Sequence, residues 1–193
     1  MTVGIERLCV YCGSSPGGHE RYAAAANDVA EVFVARNIEL IYGGASKGIM
    51  GVIADRVLAL GGKVHGVIPQ QLVDKEIAHE GLTKQHVVAS MHERKMLMAA
   101  LADGFVALPG GFGTLEEIIE ITTWAQLRFH AKPCGLLNVD GYYDRLLEFL
   151  DYASAEGFIP DYNRRMLLAD ERIESLMGQF ERYEPPDRDK WTD

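Results

Sequence analysis

Residues whose types suit catalysis gather in one short stretch, residues 109–117, with the sequence PGGFGTLEE. It follows the apolar run 105–108, so it is typical of a glycine-rich turn between a buried strand and a helix. Glycine lets a ligand approach the backbone amides, and the unpaired N–H groups at a helix start bind phosphate. The stretch therefore predicts an anion site with the carboxylates of Glu116 and Glu117 at its edge.

Glu117 has two interpretations. Thr114 and Glu117 have the spacing of a capping box, with Thr114 as the N-cap of a helix over residues 115–128. A carboxylate near a sugar can also stabilise the oxocarbenium charge that develops when a glycosidic bond breaks. The residues alone leave cap and catalyst open, and the two roles do not exclude each other.

A second candidate group is the pair Arg94 and Lys95, which falls in the first turns of a helix predicted over residues 91–102. Adjacent helical residues point about 100° apart, so only one of the two fully faces a given pocket. Cations at a helix amino terminus oppose the helix dipole. A solvated charged turn is the structural alternative, but a local rule broken without visible compensation favours a functional site.

Other motifs suggest rival chemistries. Residues 44–48 (GASKG) match the nucleophile elbow of an esterase, with Ser46 as nucleophile, but no histidine downstream is marked as its base. The spacing of residues 43–48 is that of a P-loop, yet Ile49 and Met50 occupy the Lys and Ser/Thr positions. Cys9 and Cys12 form a C-x-x-C in or at the end of an apolar run, without a second ligand pair. We predict no metal and no organic cofactor.

The elements that position these residues alternate along the whole chain. Short apolar runs, typical of buried parallel strands, occupy residues 8–11, 39–42, 63–68, 85–88, 105–108, 134–137 and 166–168. Helix-length stretches occupy residues 20–36, 48–60, 91–102, 115–128, 142–156 and 171–182. This order predicts an α/β fold, a doubly wound, Rossmann-like parallel sheet of six to seven strands flanked by helices. Three glycine-rich turns, after the first, second and fifth strands, fall at the sheet edge where such folds bind ligands.

Length and charge set further bounds. The chain of 193 residues is predicted to form one domain over residues 1–183, followed by an acidic, proline-containing tail over residues 184–193. A net charge of −9 argues against nucleic acid as a partner. The sequence shows neither a secretory signal nor an apolar run long enough to span a membrane, so we expect a cytoplasmic protein.

The same residues carry a resemblance to a known family. Residues 109–117 resemble the P-G-G-x-G-T-x-x-E signature of the Lonely Guy (LOG) family of cytokinin-activating phosphoribohydrolases, and Arg94-Lys95 matches its paired basic site. The likeness covers about residues 7–180 and includes residues 42–44, 75–77, 122–127 and 135–143. It departs at Ala45, where many members have glycine, and at Ile49, where leucine is common.

The resemblance implies hydrolysis of a nucleoside 5′-monophosphate at its N-glycosidic bond, preferentially one whose adenine bears an isoprenoid group. It implies that Arg94 and Glu117 are the catalytic pair and that the enzyme works without metal or cofactor. The implied substrate-binding residues are Glu76, Arg94, Lys95, Gly110, Gly111, Phe112, Gly113, Thr114, Leu115, Glu116 and Thr123. Members of the family are often labelled lysine decarboxylases, a label that the sequence disfavours because nothing supports a desolvated pocket for pyridoxal phosphate around Lys47 or Lys95. A homodimer with helices at the interface is also implied.

Two alternatives stay open. A plain AMP nucleosidase of purine salvage would share every one of these features, and only the size of the base pocket would distinguish it. A nucleotide-binding protein without catalysis would share the glycine-rich turns.

Overall fold

The computed structural model describes residues 4–75 and 77–187. Within them, seven strands form one parallel sheet in the order β4-β3-β2-β1-β5-β6-β7. The strands are β1 (Arg7–Tyr11), β2 (Glu39–Tyr42), β3 (Val64–Pro69), β4 (Lys84–Val88), β5 (Gly104–Ala107), β6 (Cys134–Leu137) and β7 (Leu167–Asp170). The predicted doubly wound α/β sheet is confirmed.

The helices alternate with these strands. They are α1 (Glu20–Ala35), α2 (Gly48–Ala59), α3 (Gln70–Val73), α4 (Met91–Leu101), α5 (Phe112–Gln126), α6 (Asp144–Ala155), α7 (Asp161–Arg164) and α8 (Ile173–Glu181). A 3₁₀ turn at Val139–Gly141 precedes α6. The four-residue helices α3 and α7 were not predicted, because one turn is too short to show a helical period.

Both faces of the central strands are buried, and alternate strand residues contribute to each. Leu8 and Val10 pack with α1, α2 and α8, whereas Cys9 and Tyr11 pack on the opposite face with α4 and α5. Helix α1 buries the side chains at positions 26, 29, 30 and 33, the helical spacing of one apolar stripe. Burying the Phe33 ring alone contributes about 1.5–3 kcal/mol.

The cysteines lie inside this core. Cys9 and Cys12 belong to the cores on opposite faces of the sheet, and they and Cys134 are free, buried thiols. Burial raises the pKa of the Cys9 and Cys12 thiols, so both stay protonated and unreactive. In residues 4–75 and 77–187, no three His, Cys, Asp or Glu side chains group as a metal site.

The strand order reverses at β1, which lies between β2 and β5. Such a reversal opens a crevice at the carboxyl ends of the strands. The turn after β1 and the turn after β5 meet there, and the Gly13 N–H donates to the Pro109 carbonyl at 3.2 Å. A cleft of about 270 Å³ lies between these turns, with Tyr22 and Tyr142 in its wall. No helix of the described ranges is long and apolar enough to span a membrane.

Candidate active site

The centre of the candidate site is an ion pair between α4 and α5. Arg94 Nη1 donates to Glu117 Oε1 at 2.5 Å, and both residues are only 8% exposed. Arg94 Nε donates in addition to the carbonyl of Val67 on β3 at 3.1 Å. The guanidinium is therefore fixed from two sides, and it holds the carboxylate in one orientation.

A glycine turn makes room for this guanidinium. The turn after β2 begins with Gly43, and a Cβ at that position would overlap Arg94 Nη2 and lie 3.1 Å from Met50 Sδ. The next residue, Gly44, has φ +77°, a conformation that favours glycine. The second glycine turn thus forms the surface on which Arg94 rests.

The surroundings shift the acidity of Glu117. Burial raises the pKa of its carboxyl above the ordinary value, and the contact with Arg94 opposes that shift without cancelling it. A carboxylate of raised pKa is a better proton acceptor than an exposed glutamate at the same pH. The environment suits a group that orients or activates water.

The turn after β5 differs from its predicted form. Helix α5 begins at Phe112 with Gly111 as N-cap, three residues before the predicted start, so Thr114 is not the N-cap and the predicted capping box is wrong. Glu117 therefore lies in the second turn of α5 and contacts Arg94 instead of the helix end. Thr114 is 3% exposed and packs against Gly110, where a Cβ would overlap its Oγ1 and lie 2.8 Å from the Gly13 nitrogen.

The amino terminus of α5 is open to a ligand. The first amides of a helix have no intrahelical acceptor, and they point along the axis out of its amino terminus. A Cβ built on Gly111 or on Gly113 would meet nothing within 4 Å. Two tyrosines support the turn, since Tyr142 Oη donates to the Gly110 carbonyl and Tyr143 Oη to the Leu108 carbonyl, each at 2.7 Å. This end of α5 can bind an anion.

The remaining predicted residues surround this centre at different distances. Lys95 Nζ pairs with Glu116 at 2.6 Å and with Glu120 at 2.9 Å, along the flank of α5. Thr123 lies six residues beyond Glu117, about 9 Å along the helix axis, and its hydroxyl donates to the Ile119 carbonyl. Leu115 is partly buried in the core, and the Phe112 ring is 93% exposed. Glu76 lies outside the described residues.

The start of α4 holds a cap that the sequence analysis missed. Ser90 Oγ accepts from the Glu93 N–H at 3.1 Å, and the Glu93 carboxylate accepts from the Ala89 N–H at 2.9 Å. An acid therefore does stand in the first turn, and the expectation that the cations are uncompensated is wrong. The S-x-x-E spacing at residues 90–93 would have revealed this cap.

The esterase alternative finds no support in the geometry of Ser46. Its hydroxyl donates to the carbonyl of Ile77 at 3.3 Å instead of to a histidine. A nucleophilic serine needs a base within hydrogen-bond reach. The residues brought together by the fold are instead a buried carboxylate, a guanidinium and an open helix amino terminus, which suit the breaking of a bond in an anionic sugar derivative.

Known proteins resemble this chain over most of its length. The model of a family described as "Possible lysine decarboxylase" matches residues 50–180. The probable cytokinin riboside 5′-monophosphate phosphoribohydrolase LOGL9 of Oryza sativa subsp. japonica is 51% identical over 181 residues, which cover 94% of this chain and 80% of that protein. The cytokinin riboside 5′-monophosphate phosphoribohydrolase LOG5 of Arabidopsis thaliana is 49% identical over 94% of this chain and 79% of that protein.

Solved structures agree on the fold. The molybdenum cofactor binding protein of Rippkaea orientalis superposes with a TM-score of 0.68 at 17% identity, over 89% of this chain and 93% of that one. An identity this low supports the architecture alone. The sequence relatives carry the assignment: this chain belongs to the LOG family of phosphoribohydrolases.

Proposed function

We propose that the protein hydrolyses the N-glycosidic bond of cytokinin riboside 5′-monophosphates and releases the free base and ribose 5-phosphate. The observation that carries the proposal is the buried Arg94–Glu117 pair beside the open amino terminus of α5. The curated relatives named above, at about half identity, are phosphoribohydrolases of that substrate class by name.

The substrate phosphate would bind at the turn of residues 110–114. Backbone N–H groups and the positive end of the α5 dipole meet there, and glycine leaves the approach free. Arg94 lies nearby, but its charge is balanced by Glu117. The attraction for a single phosphate therefore comes from the helix amides and dipole, and it is local in a chain whose net charge is −9.

Glu117 would act on the ribose. As the C1′–N bond lengthens, positive charge develops on the sugar, and the carboxylate stabilises it while orienting the attacking water. The water oxygen bonds to C1′, the base leaves with the bond electrons, and the water proton is transferred so that the base departs neutral. Arg94 stays protonated, so it holds the phosphate or ribose and fixes Glu117.

The other proposed contacts line the nucleotide. Lys95 on α4 pairs with Glu116 and Glu120 of α5, and Thr123 lies further along α5. Lys95 is paired with Glu116 and Glu120, so nucleotide binding would exchange part of that pairing for a new contact. Glu76 is assigned to the nucleotide on the resemblance alone.

Comparing two substrates tests the proposal. The purified protein is supplied with isopentenyladenosine 5′-monophosphate or with AMP, and the released base is separated by chromatography. We expect a higher kcat/KM for the isoprenoid nucleotide. A preference for AMP would favour the purine-salvage nucleosidase, and tight binding without release of base would favour a nucleotide-binding protein.

The pH dependence of the reaction follows from Glu117. Its pKa is raised in the folded protein, so the ionised carboxylate is present above that pKa and lost as the pH falls through it. We expect the acidic limb of kcat/KM to lie above about pH 4.3, the ordinary value for glutamate. Activity measured between about pH 4 and 8, with circular dichroism at each pH to exclude unfolding, tests this. A limb at or below the ordinary value would contradict it.

We further propose a homodimer formed through α4 and α5. An apolar groove of about 620 Å³ runs between these helices, lined by Met96, Trp124 and Phe129 among others. Met96 is 59% and Phe129 74% exposed, which is unusual for large apolar side chains that share one surface. A second copy seated there would border the Arg94–Glu117 site, because the same two helices carry it.

Changing this surface should dissociate the dimer. We expect Phe129→Glu to reduce the mass measured by light scattering from about twice 21.4 kDa to 21.4 kDa, because a buried unpaired carboxylate opposes association. The matched control is Phe158→Glu, since Phe158 is 85% exposed beyond the end of α6. A monomeric wild type, or a Phe129→Glu variant that stays dimeric, would overturn this interface.

A cytoplasmic location stays part of the proposal. Its support is the set of three free thiols, which fits a reducing compartment.

A further inference from the structure

A histidine behind the second glycine turn holds the part of the chain on which Arg94 rests. Residues 77–79 run antiparallel to residues 44–46, where Ala45 and Ala78 form a bridge. The Ser46 N–H donates to the Ile77 carbonyl and the His79 N–H to the Gly44 carbonyl, each at 2.9 Å. The turn is thus held by a short two-stranded contact.

The imidazole of His79 anchors this contact to α2. The Gly81 N–H donates to His79 Nδ1 at 3.0 Å, so Nδ1 carries no proton and the neutral ring carries its proton on Nε2. Nε2 lies 2.9 Å from Asp55 Oδ1 and donates to it. The His79 side chain is 11% exposed, whereas that of Asp55 is 73% exposed. The ring is therefore fixed in one tautomer and one orientation.

The anchored turn is in direct contact with the guanidinium. Gly43, whose missing Cβ leaves room for Arg94, precedes Gly44, whose carbonyl accepts from His79. On its other side Gly44 packs against β3, because a Cβ there would lie 3.1 Å from Ile68 Cβ. The turn is held between β3 and residues 77–79, so release of His79 frees one of its two sides.

We propose that His79, through Asp55, is a positioning residue for the proposed reaction. It touches neither the phosphate turn nor Glu117, and it acts by holding the second glycine turn in place under Arg94. A displacement of catalytic groups by about 1 Å can cost a hundredfold in rate, so a partial release of the turn is measurable. The inference rests on the proposed function.

Substitutions at both ends of the contact test it. We expect His79→Ala and Asp55→Ala each to lower kcat/KM by about tenfold, and the double variant to lower it by about the same factor, because one contact is lost in all three. Asp55→Asn keeps the accepting oxygen and should stay within about twofold of wild type. The matched control is Glu80→Ala, an exposed residue in the same segment, which should behave as wild type.

Two results separate positioning from a purely structural role. A residue that only stabilises the fold would lower the melting temperature and leave kcat/KM of the folded enzyme unchanged. Asp55→Asn should restore the kcat/KM that Asp55→Ala loses, measured well below the melting temperature, only if the hydrogen bond to His79 positions the turn. Unchanged kcat/KM in both single variants would overturn the proposal. Asp55→Ala is expected to fold, because the Asp55 side chain is 73% exposed.

Hydrogen exchange makes the test independent of turnover. In His79→Ala the backbone amides of Ser46 and of residue 79 should exchange faster than in wild type, because both donate within the anchored contact. Unchanged exchange there would overturn the proposal. If the wild type released no base, the proposed function would fail, whereas the exchange rates would still test whether His79 holds the second glycine turn.

Discussion

Replacing Glu117 by Gln is expected to reduce base release by about 10²- to 10⁴-fold, the usual contribution of a positioned acid or base. The amide has nearly the same shape and still accepts from Arg94 Nη1, but it carries no charge to stabilise the sugar cation. The rate is measured on isopentenyladenosine 5′-monophosphate by chromatography, and the fold by circular dichroism. A variant with near wild-type kcat would contradict the role of Glu117.

Neighbouring substitutions sharpen this result. Glu120→Gln, one turn further along α5, removes a partly exposed ion pair and should keep kcat within about fivefold.

Arg94→Ala should also abolish base release. It additionally leaves the buried Glu117 carboxylate unpaired, a change that typically costs 3–5 kcal/mol of folding stability. Activity of that variant is therefore measured at low temperature, where the folded fraction is checked directly.

Gly43→Ala is expected to lower kcat/KM by about a hundredfold with the fold retained. The new methyl group would overlap Arg94 Nη2, and the guanidinium must move although Val67 and Glu117 hold it. Overpacking of this kind typically costs 1–3 kcal/mol of stability. Steady-state kinetics and thermal unfolding measure the two effects separately.

A second glycine provides the control for this substitution. Gly178 lies in α8, and a Cβ there would meet no atom closer than 3.6 Å. Gly178→Ala should keep wild-type kinetics and gain about 0.5–1 kcal/mol, because alanine is the better helix former. If Gly43→Ala retained full kcat/KM, the second glycine turn would not be the surface that places Arg94.

The sheet could be predicted because most of its strands are short apolar runs. Strand β4, in which only Val87 and Val88 are apolar, is the exception. The bounds of β2 and β6 agree with their predictions at both ends, and the remaining strands differ by one or two residues. Helix α5 was placed three residues late because Thr114 and Glu117 happen to have capping-box spacing. The glycine at position 111, which is the actual N-cap, is a weaker sequence indicator than a threonine.

The candidate site was less accessible to sequence reasoning. The family resemblance alone paired Arg94 with Glu117, and the fold brings them into contact, but their roles stay predictions. The supports of the site depend on distant parts of the chain: Gly43 beneath the guanidinium, Tyr142 bonded to the phosphate turn and His79 behind the second turn. No local pattern connects these positions, because the contacts exist only after the sheet has assembled.

The place of β5 in the sheet links catalysis to the order of folding. β5 pairs with β1, from which it is separated by about a hundred residues, and Glu117 follows directly on α5. Contacts between distant segments form slowly, because a long loop must close before they are made. The first four strands, with Arg94 beyond them, can associate before the segment that carries β5 and Glu117 has docked. Recovery of activity after denaturation therefore reports the insertion of β5 beside β1, and lags behind the recovery of helix content.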